Sequence, residues 1–160
     1  MGDKLDSLVP FSAEALRAEA DAISQLRGTA EKYLTAISIL LGFHIVEIKD
    51  LTFCDGASKS AFSVVLLCGI ILLLIAMAVA IWSMRVRVYP TYPKTDDLAP
   101  LRATATSDAA REMIVDINLA LRDGILAVNE HRAHLLAIAG WLLMLGFVAS
   151  VAGQIGLKLL

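Results

Sequence analysis

The feature that most constrains this chain is an unbroken apolar run in its middle. Residues Ala61 to Met84 contain no charged side chain over 24 positions. As an α-helix rising about 1.5 Å per residue, the run is about 36 Å long, which exceeds a hydrocarbon thickness of about 30 Å. Trp82, followed by Arg85 and Arg87, is typical of a helix that leaves the bilayer through its aromatic and cationic interface. The run therefore predicts a membrane-spanning helix.

The composition of the whole chain agrees with a membrane protein. Of its 160 residues, 58% are hydrophobic and 19% are charged, and the mean hydropathy is +0.70. Soluble domains average about 45–50% apolar and about 25% charged residues. The net charge of −2 argues against a nucleic-acid partner, because phosphate binding needs a basic excess. We expect one all-α membrane domain whose main partner is the lipid bilayer.

Two further segments are candidates for crossing the bilayer. Ala133 to Leu157 is apolar apart from His134 and Gln154, and it predicts a span over 135–157. The segment 33–53 is apolar only over its first eleven residues and then carries charges. It is either a span whose charged end reaches the far interface or an amphipathic helix lying on the membrane. The short loop that follows favours a helical hairpin, and hence a span.

The distribution of positive charge predicts the orientation. Cationic residues precede the first span and are dense between the second and third, whereas the short loop holds two and the C-terminal tail one. The positive-inside rule then places the N-terminus and the middle segment in the cytoplasm and the C-terminus outside. The predicted organisation is a single domain over 1–160, with a cytoplasmic helix at 1–32, spans at 33–53, 61–84 and 135–157, and a cytoplasmic segment at 85–134.

The cytoplasmic parts are predicted to be amphipathic helices. In the N-terminal part, apolar residues recur at helical spacing and Ser12 follows Pro10 as an N-cap. In the middle part, a stripe of aliphatic residues occupies one face: Ile114, Ile117, Leu121, Ile125 and Val128. No proline follows Pro100, so this helix should continue into the last span as one rod of about 75 Å. A proline-rich hinge, YPTYPKTDDLAP, should precede it.

His44, Glu47 and Asp50 are spaced three apart and share one face of the first span. Ionisable residues at membrane depth usually face a bundle interior or a water-filled cavity. These three therefore form either a polar lining around a central axis or a polar end that lies in the outer interface.

Small residues recur four apart in the last span, in the set Gly146, Ala149, Ser150 and Gly153. This spacing is typical of close helix contacts, either within one protomer or between the copies of a homo-oligomer.

No residue set predicts catalysis or a cofactor. Glu130, His131 and His134 share a helix face, but zinc needs three or four ligands, so a polar collar at the headgroups is favoured over a metal site. Neither phosphate-binding loops nor a nucleophile motif occur in the sequence. We predict that the chain is not an enzyme.

Three short segments resemble a known family. GTAEKYLTAISILLGFH at the first span, MRVRVYPTYP after the second and NEHRAHLLAIAGWLLMLGF at the third are similar to the Pycsar-type transmembrane effectors of bacterial antiphage defence. The layout of a helical hairpin with a cytoplasmic helix also resembles the SLATT-type membrane effectors. The resemblance implies a bacterial inner-membrane protein that oligomerises and permeabilises the membrane on an infection signal. That signal would be a cyclic nucleotide or an operon-encoded cytoplasmic sensor. The alternative is a non-conducting subunit that docks a larger membrane complex.

Overall fold

The structure, a computed structural model, describes residues 2–48, 57–85 and 107–159, with side chains described over 8–44, 61–85 and 107–159. Every secondary-structure element in these ranges is an α-helix. The helices are α1 (Gly2–Ile48), α2 (Ala57–Met84) and α3 (Ser107–Leu159). The predicted proline-rich hinge lies outside the described residues.

Helix α1 runs without interruption through Pro10, so the prediction of a cap at Ser12 was wrong. The Ser12 hydroxyl donates to the carbonyl oxygen of Val9 at 2.9 Å, inside the helix. The same hydroxyl accepts a hydrogen bond from the Asn118 amide at 3.1 Å. Ser12 is therefore held in a buried contact between two helices, where its side chain cannot cap a helix start.

Helix α3 confirms the expected continuity of the last helix. It has 53 residues, which corresponds to about 80 Å of helix axis. No proline or break separates its amphipathic first part from its apolar second part. The amphipathic part and the apolar part therefore belong to one continuous helix.

Contacts among the described residues form two units, and both contain part of α1 and part of α3. The first unit holds α1 up to Leu26 and α3 up to His131. The second holds α1 from Arg27, the described part of α2 with Arg85, and α3 from Arg132. They are called the two-helix unit and the three-helix unit below.

The two-helix unit has a small aliphatic core. Leu16 of α1 packs with Leu121 and Ile125 of α3, and Ile23 and Ile117 pack against them. Three members of the aliphatic stripe predicted for α3 therefore take part in this core.

Polar side chains lie in the same helix contact. Ser12 and Asn118 are 1% and 4% exposed and bond to each other. Asn129, also buried, donates to the carbonyl oxygen of Glu19 at 3.0 Å and to its carboxylate at 3.2 Å. A buried amide needs a hydrogen-bond partner at a fixed position, so such side chains favour one register of the two helices over others.

The three-helix unit has a core centred on Ile37 of α1. Ile37 is fully buried and packs with Leu73 and Ala76 of α2. Further side chains that pack around this core are Leu40, Leu41, Met77, Leu142 and Leu143. All three helices therefore meet at the middle of the unit.

Candidate functional site

In the three-helix unit, α2 and α3 approach each other closely at several glycines. A Cβ atom added at Gly69 would lie 2.7 Å from the backbone nitrogen of Ser150, and one added at Gly153 would lie 2.8 Å from that of Leu66. One added at Gly146 would lie 3.0 Å from the carbonyl oxygen of Gly69. Only glycine allows the two backbones to approach this closely.

Three of the four small residues predicted to pack in the last span face this contact. Gly146, Ser150 and Gly153 are buried against α2 of the same chain, and Ala149 is half-buried. The Ser150 hydroxyl faces Gly69 of α2 and donates back to the carbonyl oxygen of Gly146, so its proton is already used within α3. These three residues are used within the protomer.

The contacts also give the direction of each helix. Along α2 and α3, Leu66 lies beside Gly153 and Leu73 beside Gly146, so residue numbers run in opposite directions. Along α1 and α3, Tyr33 lies beside Gly140 and His44 beside Gln154, so the numbers rise together. Helix α2 is therefore antiparallel to the other two.

His44 lies inside this unit. It is 5% exposed, and its Nδ1 is 2.9 Å from the side-chain nitrogen of Gln154 on α3. Of the other two residues in the predicted polar lining, the side chain of Glu47 and all of Asp50 lie outside the described residues. Where the structure describes this set, it points toward α3 and away from the outer surface.

Arg132 links α3 to the C-terminal end of α2 at one end of the unit. Arg132 is 8% exposed, and its guanidinium donates to the carbonyl oxygen of Arg85 at 3.2 Å, directly after the end of α2. A cation at a helix C-terminus is stabilised by the partial negative charge of the last carbonyl groups. The side chain of Arg85 itself lies over the ring of Trp82, 5.3 Å from the centroid.

The outer surfaces of α2 and α3 are apolar. Only 28% of the apolar window of α2 and 22% of that of α3 is buried inside the chain. Among the described residues, these two helices are long and apolar enough to cross a membrane, whereas α1 is long but not apolar enough. Large apolar side chains exposed on them include Val64, Leu67, Ile71, Leu74, Ile81, Trp141, Met144, Leu145 and Val148.

The outer face of α1 differs, and the sequence reasoning missed it. Glu31, Thr35, Ser38 and Gly42 are all exposed and recur at intervals of three or four residues. Arg27, one turn earlier, donates to the Glu31 carboxylate at 3.1 Å. We call these five residues the polar face of α1. Their spacing in the sequence places them on one side of a helix. That this side is the outer one follows only from the inward positions of Ile37 and His44.

The predicted collar residues are exposed side chains. Glu130, His131 and His134 each lie at the surface of α3. Within the described ranges no group of three or more potential ligands could hold a metal ion.

Comparison with known proteins adds no relative. No protein-family model, no curated protein and no solved structure matches this chain.

Proposed function

We propose that this chain is a three-span protein of the bacterial inner membrane that assembles with copies of itself and permeabilises the membrane in response to an infection signal. The observation that carries the proposal is the polar face of α1, which lies on the outside of a three-helix unit whose other two helices have apolar outer surfaces. The antiphage setting and the signal come from the resemblance to membrane effectors.

The exposed apolar surface supports insertion into a bilayer. Burying a large aliphatic side chain is worth about 1.5–3 kcal/mol, and α2 and α3 leave many such side chains uncovered. Soluble monomers rarely expose a continuous apolar surface of this kind. Lipid tails would cover it without the need for a protein partner.

The position of Ile37 supports a third span. Ile37 packs against Leu73, which lies near the middle of the charge-free run 61–84. If α2 crosses the bilayer, the neighbouring part of α1 must lie near mid-depth. This argument favours a span over an interfacial helix, which would contact α2 only near one end.

The cationic end of the unit supports the proposed orientation. Arg85 and Arg132 lie together at the same end of the bundle, joined by a hydrogen bond. The positive-inside rule places that end at the cytoplasmic surface, with the N-terminus and the middle segment. Reporter fusions at Pro93 should give a cytoplasmic signal, and fusions at Ser58 and the C-terminus an external one. A cytoplasmic signal at the C-terminus would contradict three spans.

The polar face cannot remain in contact with lipid tails at low cost. Glu31 precedes Ile37 by six residues, about 9 Å along the helix axis. If Ile37 lies at the midplane of a hydrocarbon core that extends about 15 Å to each side, the backbone of Glu31 lies inside that core and the first span begins before residue 33. A charge costs about 2.5–3.5 kcal/mol at the centre of a span, and less toward its ends. Water in a pathway shared between copies would remove that cost.

Dye release from vesicles tests permeabilisation. The purified chain, reconstituted in lipid vesicles, should release an enclosed dye. The double change Thr35→Leu and Ser38→Leu should lower the release rate about tenfold, because an apolar constriction closes a pathway by dewetting. The matched control is Val64→Leu on the outer face of α2. An equal loss in both variants, or no loss in the first, would contradict a polar pathway along α1.

The infection signal needs a test in cells. Cells that carry the chain with its neighbouring genes should depolarise during phage infection, and cells with the Thr35→Leu, Ser38→Leu variant should not. Depolarisation that never occurs under phage challenge would remove the effector interpretation.

A docking subunit is the second candidate. The two-helix unit exposes Leu8 and Phe11, at 43% and 65% of their surface, which is consistent with an apolar contact to another protein. Wild-type vesicles that remain sealed, together with a partner whose binding is lost in Phe11→Asp, would favour this candidate.

A further inference from the structure

We infer that the Arg85 end of α2 binds the phosphate group of an anionic phospholipid, through the guanidinium of Arg85 where it lies over Trp82. The inference rests on the membrane insertion proposed above and adds a ligand of stated chemistry at one place on the outer surface. Three properties of this helix end support it: the direction of the Arg85 side chain, the charge around it and the apolar surface beside it.

The first property is direction. Side chains on an α-helix tilt toward its N-terminus. Because α2 is antiparallel to α1 and α3, its side chains at this end tilt into the bilayer, whereas those of the other two helices tilt toward water. The guanidinium of Arg85 lies over the ring of Trp82, three residues earlier in α2. Arg132 supplies the cation that bonds to the carbonyl oxygen at the helix end. Arg85 is therefore directed back along the lipid-facing surface.

The second property is charge. The described side chains of the three-helix unit include one carboxylate, Glu31, and Arg27 pairs with it. Among the described residues, no carboxylate forms an ion pair with Arg85. Two guanidinium groups at one helix end, those of Arg85 and Arg132, attract a phosphate and repel the ammonium of a zwitterionic headgroup. A headgroup with a net negative charge is therefore favoured.

The stacking of Arg85 leaves its donors available. Contact with the Trp82 ring uses the face of the planar guanidinium. The N–H groups lie in the plane, at the edge, where two of them match two oxygens of one phosphate. Trp82 thus fixes the guanidinium at the surface of the helix without using its hydrogen-bond donors.

The third property is the apolar surface beside Arg85. Ala78, Ile75 and Ile71 are exposed and precede Trp82 on the same side of α2, at intervals of three or four residues. From Trp82 to Ile71 is about 16 Å of helix axis, close to the roughly 15 Å depth of one hydrocarbon leaflet. An acyl chain can therefore lie along this surface while its phosphate contacts Arg85. A free phosphate ion would leave the surface unused, so the ligand is a lipid.

Helix α3 provides a matched comparison. It also has a lipid-facing surface with exposed Ile138, Trp141 and Leu145. The polar residue at the end of that surface is His134, which is exposed and belongs to a helix whose side chains tilt toward water. A preference for anionic lipid should therefore be found beside Trp82 and not beside Trp141.

Quenching of tryptophan fluorescence by brominated lipids tests the inference on the full chain. The chain has two tryptophans, so Trp141→Phe reports on Trp82 alone and Trp82→Phe on Trp141 alone. Both variants are placed in mixed vesicles of phosphatidylglycerol and phosphatidylcholine, with bromine on the acyl chains of one lipid at a time. Trp82 should favour phosphatidylglycerol about fivefold, the effect of one cation near an anionic surface, and Trp141 less than about twofold. Equal preferences at the two tryptophans, or none at Trp82, would overturn the inference.

Substitutions in the Trp141→Phe chain separate Arg85 from the general positive charge of this end. Arg85→Gln should abolish the preference and leave quenching by brominated phosphatidylcholine unchanged, because Arg132 bonds to a backbone carbonyl that the substitution retains. Lys32→Gln, which removes an exposed cation of α1, should leave the preference intact. A preference that survives Arg85→Gln, or that Lys32→Gln removes equally, would overturn the inference.

Inorganic phosphate separates a lipid ligand from a free anion. Added to the wild-type site in the Trp141→Phe chain, it should lower the preference no more than chloride at the same ionic strength. Specific displacement by inorganic phosphate would show that the site takes a free anion, and would overturn a lipid ligand.

The same vesicles distinguish failure of the inference from failure of the proposed function. A preference at Trp82 in vesicles that retain an enclosed dye would reject permeabilisation and keep the lipid site. Dye release without the preference would reject the site and keep permeabilisation. A Trp82 that neither brominated lipid quenches would reject membrane insertion and the site together.

Discussion

Helices α1 and α3 pair twice, and the two pairings differ in what they leave exposed. In the two-helix unit the exposed positions are mostly polar, such as Glu14, Arg17 and Asp21 on α1 and Glu112 and Asp116 on α3. In the three-helix unit the exposed positions of α2 and α3 are mostly large and apolar. The cores are alike, since both bury aliphatic side chains. The two units therefore differ in their exposed surfaces and not in the chemistry of their cores.

The helix contacts differ in the same sense. In water, the hydrophobic effect drives two helices together, and buried amides such as Asn118 add register. In a bilayer, which is the environment proposed for the three-helix unit, no such driving force exists, and close backbone packing through glycine takes its place. The predictions below test this contrast, from the largest expected effect to the smallest.

The substitution Gly153→Leu should have the largest effect. The obstruction is the backbone of Leu66, 2.8 Å from the added Cβ, and backbone cannot rotate away. We expect the three-helix unit to lose about 3 kcal/mol or more of stability, measured by unfolding in mixed detergent micelles. The control Gly28→Ala adds a methyl group where no atom lies within 4 Å and should not destabilise the unit. Equal stability of both variants would contradict glycine-dependent packing.

The substitution Leu121→Ala should destabilise the two-helix unit by about 2–3 kcal/mol, near the lower end for a core leucine, because two helices enclose the site incompletely. Hydrogen exchange should show faster opening of α1 before Leu26 and of α3 before His131. Leu119→Ala, an exposed position on the same helix, should change exchange little. If both variants open equally, the core around Leu16 does not hold this unit.

The substitution Arg132→Leu should cost the three-helix unit about 1–3 kcal/mol, because it removes a charged donor from the end of α2. Arg132→Lys keeps the charge but not the planar guanidinium, and should lose only part of that stability. Detergent unfolding of the two variants measures the difference. A leucine variant as stable as wild type would show that Arg132 contributes nothing at this helix end.

The bond between Asn118 and Ser12 should contribute the least, about 1 kcal/mol. A double-mutant cycle with Asn118→Ala and Ser12→Ala, followed by hydrogen exchange, isolates the coupling between the two side chains. Additive single changes would mean that this bond does not help to set the register.

Several features of the fold could be predicted from the sequence alone. The charge-free run 61–84 predicted a helix, which the structure contains as part of α2. The absence of proline after Pro100 predicted a continuous last helix, which the structure contains as α3. The aliphatic stripe of α3 contained the three residues that this helix gives to the two-helix core, Ile117, Leu121 and Ile125. Local composition and periodicity were sufficient for these features because each depends on one segment. The cap at Ser12 failed because a partner on α3, more than a hundred residues away, determines what that hydroxyl bonds.

The tertiary structure decided which face of each helix points inward. The sequence showed that His44 and the small residues of α3 lie at helical spacing, but spacing leaves the direction of a face open. His44 points to the inside of the protomer, where it contacts Gln154. Gly153 also points inward, where it packs against α2. Once Ile37 is buried against Leu73, the opposite side of α1 must carry Glu31 and Thr35 outward. A helix has one rotation about its axis, and only its neighbours in space determine it.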